Sequence, residues 1–515
     1  SSAPLNPEFL EYQRQIGQKQ AGSAILSGGD RGHPLGYIPS PLDLSHVTPP
    51  KDLFQRDRGD AALPSKYDLR DYSALTAVRD QDLYGTCWAF GALASLESTF
   101  KMREGENFDF SEWHLAYFAY VDEKPDFPAF TQSTPQFGSH PIFDQGGNGW
   151  KAAAILARWT GAVKEEDRPY KGAFPTPQDP VFKHLENVWY LGGSFDGDTV
   201  KRALMSHGAV SVSMKWSNAY FNETYNSFYR PNIANDEGHC VTIIGRNDNF
   251  DRAKFNDSAP ENGAWLIKNS WGTAWGDSGF FWLSYSDPNL SQPALFVGGD
   301  RKNFTRNYQY DPLGWLTSFK VDNSGTGWCA NIFSANGSTD GTSAELLKAF
   351  SFYAGAAGTS YRAEVRTGVD ANSPSSGNLA LVKEGTLAAA GYHTVEISPV
   401  HVNKGERFSV VLRLTTPGND FPIPVEYPLS GYSDKATASA GESFVSSDGK
   451  SWDDLITKVA NSNVCIKAFS SDMKKPEKPQ LSAPAEGAAE VSLPVLLKTA
   501  SFVPGGDGGI HKSTR

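Results

Sequence analysis

From Trp88 the chain reads WAFGALASLESTFKMRE, with Trp88, Leu93, Leu96 and Phe100 near helical spacing, which predicts a helix opening at Cys87. Two apolar runs further on are of another kind. Cys240-Val241-Thr242-Ile243-Ile244-Gly245 is rich in β-branched residues, and Ala264-Trp265-Leu266-Ile267-Lys268 leads into a Trp-Gly turn; both predict strands. Near the start, residues 9–15 predict a short helix, followed by extended, turn-rich stretches around Gly36-Tyr37-Ile38-Pro39 and Thr48-Pro49-Pro50. Past about residue 303 the texture changes. Residues 361–366 and 392–397 alternate with period two, residues 404–414 are rich in apolar and β-branched types, and Gly, Ser, Asn and Pro separate them. Many short strands at that spacing predict a β-sandwich. From about 471, SSDMKKPEKPQLSAPAEGAAE has the composition of a linker, and Gly505-Gly506-Asp507-Gly508-Gly509 that of a flexible tail.

The helix that opens at Cys87 carries chemistry. A thiol is a weak nucleophile until it ionises, and unpaired amides at a helix N-terminus favour the thiolate. A protonated imidazole beside the sulfur does so more strongly, and His239, at the head of the first predicted strand, can supply it. Asn269, at the end of the second, can hold that imidazole in one tautomer, as aspartate does in serine triads. Gln81, six residues before Cys87, can offer a side-chain N–H beside the Cys87 amide to a developing oxyanion. These residue types in this order point to acyl transfer through a thioester.

Composition narrows the field. At 515 residues the chain exceeds one ordinary domain, and with 39% hydrophobic residues it can bury sizeable cores. A formal charge of −11 without a basic stripe argues against a nucleic-acid partner. No apolar run reaches the length of a membrane span. Only four cysteines occur: Cys240 reads as a buried thiol, while Cys329 and Cys465 could bridge the first and last strands of the sandwich. The histidines at 33, 46, 114, 140 and 207 have no metal-ligand spacing, and Asp420, Asp434 and Asp448 read as turn residues. Residue 1 is serine, so the reading expects something to have preceded it, a secretory signal being one candidate.

Residues 63–285 resemble the papain family of cysteine endopeptidases. The resemblance rests on Leu63-Pro64-Ser65-Lys66-Tyr67-Asp68, Gln81 to Phe90, Phe110-Ser111-Glu112-Trp113-His114-Leu115, Gly146-Gly147-Asn148-Gly149-Trp150 and Asn269-Ser270-Trp271-Gly272-Thr273-Ala274-Trp275-Gly276. It implies a two-lobed α+β fold, a helical lobe beside a β-barrel lobe. It also implies that Gly147, Asn148 and Gly149 pair with substrate backbone and that Trp271 shields the His239–Asn269 contact. Two departures stand out. Tyr84 replaces the usual cysteine three residues before the nucleophile, and Gly238 stands before His239 where plant enzymes often carry Asp; Gly238 is counted among the substrate-binding residues. The region 303–470 resembles the lectin-like domain that follows such a protease in some bacterial and archaeal surface enzymes, including clostridial cell-wall proteases.

The expected organisation is a pro-segment or clasp over 1–62, a papain-like domain over 63–300, a lectin-like β-sandwich over 303–470 and a linker and tail over 471–515. The expected function is a secreted or cell-surface monomeric cysteine endopeptidase acting on protein or peptide substrates. The mechanism needs no metal or organic cofactor, while the lectin-like resemblance allows calcium and a cell-wall or surface polysaccharide as ligands. The alternative is a carbohydrate-binding surface protein whose papain-like domain is inactive or acts as a transpeptidase.

Overall fold

The computed structural model describes residues 1–19, 35–54, 63–131, 141–235, 238–338, 344–473, 481–483 and 498–499. His33, His140, the stretch around Arg56 and Arg58 where the sequence offers a processing site, and nearly all of the predicted tail lie outside the described residues.

Five α-helices lie among the described residues. Helix α1 spans Pro7–Lys19, α2 Cys87–Glu104, α3 Glu112–Tyr120, α4 Gly149–Ala157 and α5 Gly197–His207. The starts of α3, α4 and α5 follow from side-chain capping, whereas Thr86 before α2 makes no such bond. Ser111 accepts the His114 N–H, Asn148 those of Trp150 and Lys151, and Asp196 that of Thr199, so donors left over at each first turn are satisfied. The residues of α2 from Cys87 to Phe100 are all buried, which explains why its apolar spacing is imperfect: the helix runs through the interior rather than along it.

Helices α2, α3 and α4 form one lobe. The other is built from antiparallel strands Val210–Lys215, Gly238–Asn247, Ala264–Lys268 and Phe280–Ser284, with α5 packed behind them. The strand predicted at 264–268 has the observed bounds, and the one predicted at 240–245 is the middle of a longer strand. Past 303 a six-stranded sheet including Thr359–Thr367, Arg407–Thr415 and Thr326–Ser334 faces Ala344–Ala354, Ala390–Asn403 and Ile466–Asp472. Phe350, Phe352, Val365, Phe408 and Leu412 fill the space between, as a β-sandwich requires.

The two regions are not separate bodies in hydrogen-bond terms. Strand Lys183–Tyr190 of the first pairs with Ala390–Asn403 of the second, Tyr190 opposite Ala390 and Val188 opposite Tyr392, so one sheet runs through both. The N-terminal segment adds a second tie. Ala3 donates to the Ser318 carbonyl at 2.7 Å, while Tyr37 and Ile38 pair with the protease-like region. All four cysteines are free and buried, so Cys329 and Cys465 form no bridge. Asp448 is a turn residue, accepting from the amides of Lys450 and Ser451. Among the described residues no three His, Cys, Asp or Glu side chains cluster as a metal site would need, and no helix is long and apolar enough to cross a membrane.

Candidate active site

Cys87 is the first residue of α2 and is fully buried at the seam between the lobes. Its Sγ accepts a hydrogen bond from the backbone N–H of Cys240 at 3.3 Å. His239, one residue earlier on that strand, is also buried, and its Nε2 lies 2.8 Å from Asn269 Oδ1. An amide oxygen can only accept, so the Nε2 proton is fixed and Nδ1 is the nitrogen free for the thiol. Burial alone pushes the Cys87 thiol up. Hydrogen bonds from Cys240 and His239, and the charge of His239, outweigh it and bring the thiol down to about 5. Cys240, beside it without such help, is pushed well up by burial and by the Cys87 charge. Of the two thiols, Cys87 is the one drawn down and Cys240 the one pushed up.

Trp271 stacks on the imidazole, ring centroids 4.8 Å apart and planes within 23°. Asn269 Oδ1 also accepts the Ser270 amide at 2.8 Å, so its orientation is held from two sides. Gln81 is fully buried, its Oε1 accepting from Ser270 Oγ at 2.6 Å. Its Nε2 donates to the Tyr84 carbonyl at 2.8 Å and to the Leu35 carbonyl at 3.3 Å. The donor expected to face an oxyanion is thus engaged by the N-terminal segment.

That segment fills the cleft. The Tyr37 amide donates to the Gly238 carbonyl at 3.2 Å, the Ile38 amide to the Gly147 carbonyl at 2.9 Å, and the Gly147 amide to the Gly36 carbonyl at 2.8 Å. Residues 36 and 38 thereby bracket Gly147 in a parallel pairing, while Tyr37 lies antiparallel to Gly238. Asn148 Nδ2 donates to the Ile38 carbonyl at 3.0 Å. Both glycines are demanded by close approach: a Cβ on Gly147 would lie 2.3 Å from the Trp88 ring, and one on Gly238 2.2 Å from Tyr37 Cδ1. Gly149 opens α4, held by the Asn148 cap rather than by contact with the segment.

The sequence signals missed two participants. The Cys240 N–H at the sulfur has no side-chain signature, since any residue after His239 would present it. Tyr432, far away in the sandwich, reaches Asn148 with its hydroxyl 2.8 Å from Nδ2.

A thiol at a helix N-terminus, an imidazole behind it and an amide behind that, at the seam of two lobes, have the arrangement of a papain-type site. Residues 63–292 match the papain family cysteine protease model and residues 307–470 the lectin like domain model. The chain thus carries a papain family cysteine protease domain followed by a lectin-like domain.

Among characterised relatives, the chain is 27% identical over 237 residues to a cysteine protease of Blomia tropicalis, covering 44% of this chain and 63% of that protein. It is 26% identical over 243 residues to cathepsin S of Bos taurus, covering 47% and 66%. The chain spans about three fifths of the length of the curated relatives it matches. The fold is that of the cysteine protease and lectin-like domains of Cwp84, a surface layer associated protein of Clostridium difficile. That comparison has a TM-score of 0.73 at 24% identity and covers 92% of this chain and 98% of the other. Cwp84 after propeptide cleavage matches with a TM-score of 0.68, covering 79% and 100%.

Proposed function

We propose that the chain is a secreted or cell-surface cysteine endopeptidase held as a zymogen by its first 62 residues. The observation that carries this is the Cys87 thiol at the start of α2, next to the strand of His239, whose Nε2 is fixed by Asn269 Oδ1 at 2.8 Å. In this reading the Cys87 thiolate attacks the scissile carbonyl carbon. The resulting oxyanion is held by the Cys87 amide and by Gln81 Nε2 once Leu35 has left it. His239 gives its Nδ1 proton to the leaving amine as the C–N bond breaks, leaving a thioester on Cys87. A water molecule then loses a proton to His239 and adds to the thioester; the C–S bond breaks and the thiolate–imidazolium pair is restored. Asn269 orients His239 throughout, and Trp271 keeps water from their hydrogen bond. Gly147, Asn148, Gly149 and Gly238 form the subsites along the substrate backbone.

The zymogen reading is supported by occupancy: Leu35, Gly36, Tyr37 and Ile38 use the donors and acceptors a substrate would need. The surface location is supported by likeness to a surface layer associated protein, and the lectin-like domain would then hold the enzyme on a polysaccharide. The test is intact-mass analysis after an epoxysuccinyl thiol inhibitor, with Cys87→Ala as blank. One adduct on Cys87, slow in the full chain and fast after the first 62 residues are cut, supports the reading. An absence of adduct in both forms refutes it.

A further inference from the structure

Tyr432 belongs by sequence to the lectin-like domain and by contact to the protease cleft. It is 1% exposed and sits in the same apolar cluster as Tyr37, Ile38, Cys87, Trp88 and Trp150. Its hydroxyl bonds to Asn148, the residue that caps α4 and holds the Ile38 carbonyl. Its ring meets Phe9 of α1 edge-on at 5.2 Å and Phe130 at 6.2 Å, with Lys151 Nζ 4.2 Å from its centroid.

The turn that carries Tyr432 is held by α1, whose Gln13 Nε2 donates to the Ser430 carbonyl at 3.0 Å, and independently by the protease. Lys435 pairs with Asp122 at 2.7 Å, Thr131 Oγ1 donates to Asp434 at 3.0 Å, and Lys151 Nζ reaches the Tyr432 carbonyl at 3.3 Å. Within the turn, the amides of Tyr432 and Ser433 both donate to the Leu429 carbonyl. Departure of residues 1–62 would remove Gln13 and Phe9 but keep the ties to Asp122, Thr131 and Lys151, and would bare the side of the ring that Phe9 covers.

The space so bared adjoins the one Tyr37 now fills: Asn148 donates both to the Tyr432 hydroxyl and to the carbonyl of Ile38, the residue after Tyr37, and Tyr37, Ile38 and Tyr432 lie in one buried cluster. The Tyr37 ring lies against Gly238, and burial, with Glu8, Cys240 and Tyr432 near enough to be felt, pushes its hydroxyl well up. The leaving amine must lie by His239, so the acyl part of a substrate runs along Gly147 and Asn148 on the facing lobe. At about 3.3 Å per extended residue, the residue before the attacked one reaches this space.

We infer that Tyr432 is the lectin-like domain's wall of this subsite, and that through it the second domain makes the protease select an aromatic side chain two residues before the scissile bond. The inference rests on the peptidase reading above. Asn148 offers its amide to the substrate carbonyl there, and the Tyr432 ring offers an edge or face to the substrate ring, as it does to Phe9.

The test uses the full chain nicked by trypsin after Arg56 or Arg58, with two coumarin-amide peptides, Tyr-Arg and Val-Arg before the scissile bond. The wild type is expected to prefer the Tyr peptide in kcat/KM. Tyr432→Ala is expected to lower the ratio of kcat/KM for the Tyr peptide over the Val peptide about tenfold or more. Tyr432→Phe, which keeps the ring, is expected to retain the preference, and serves should the alanine variant fold poorly. A wild type without the preference, or one whose preference survives Tyr432→Ala or vanishes in Tyr432→Phe, overturns the inference. A wild type that is labelled at Cys87 yet hydrolyses neither peptide removes the peptidase reading itself, and the inference with it.

Discussion

Replacing Tyr37 by alanine should release the protease from its own N-terminal segment. Tyr37 is 6% exposed, pressed into the cleft against Gly238. Truncating a buried aromatic side chain to alanine costs about 3–5 kcal/mol. The main-chain bonds of residues 36–38 survive the change, as does the Lys215–Glu8 pair at 2.7 Å, so the segment is weakened rather than lost. At 1.4 kcal/mol per factor of ten, the ratio of covered to uncovered cleft falls roughly 100- to 3,000-fold. While uncovering is rare and fast, the labelling rate of Cys87 follows the uncovered population, so an epoxysuccinyl inhibitor should modify the full-length variant faster by that factor. The gain is capped once the cleft is open most of the time. The assay is a time course of intact mass at one inhibitor concentration, with Cys87→Ala as blank. Labelling of Tyr37→Ala within twofold of the wild type, both reaching one adduct, would refute the claim that this side chain holds the segment down.

Asn269→Ala leaves His239 without its Nε2 partner and should lower kcat about a hundredfold with KM little changed, read by steady-state kinetics on the nicked chain. In that chain, iodoacetamide should alkylate Cys87 at a rate that rises through about pH 5, whereas the thiol of an unfolded chain titrates near about 8.5. Because the folded value is the lower one, the shift contributes stability in full above about pH 8.5, and that contribution is gone below about pH 5. Lys467 and Asp311 pair at 2.8 Å with almost no exposure, beside Glu426; Lys467→Met strands those carboxylates and should cost about 3–5 kcal/mol in urea unfolding, less when Asp311→Asn is added. Burial brings Lys151 down to about 7, so the native state resists its protonation. Wild-type stability should therefore rise from about pH 7 to about 10, the ordinary lysine range, and Lys151→Met should flatten that slope in melts taken across it.

What could be read from sequence were the features that one segment decides for itself. The helix at Cys87 and the strand at 264–268 announce themselves by spacing and residue type, and they fix where the thiol and the Asn269 amide stand. The occupancy of Gln81 could not be read, because its partner is a backbone carbonyl at Leu35, and carbonyls carry no residue code. Nor could the sheet shared by the domains, since Tyr190 opposite Ala390 joins positions two hundred residues apart. The same reason hid Tyr432, which lies in Leu429-Ser430-Gly431-Tyr432-Ser433-Asp434, a turn without period whose polar composition suggests solvent.

Its burial follows from closure rather than composition. A cleft that keeps the Cys87 thiol and the His239 ring beside apolar side chains must be walled against water wherever the two lobes fail to meet. Here the wall on one side is a turn from the next domain, locked by Lys435 on Asp122. A second domain fixed by a continuous sheet can supply such a wall with little loss of freedom, because its position is already set when the first domain folds. The lectin-like domain is accordingly more than a tether in this chain: separated from it, the protease domain would lose Tyr432, and Lys151 would lose the ring and the carbonyl that its amino group meets.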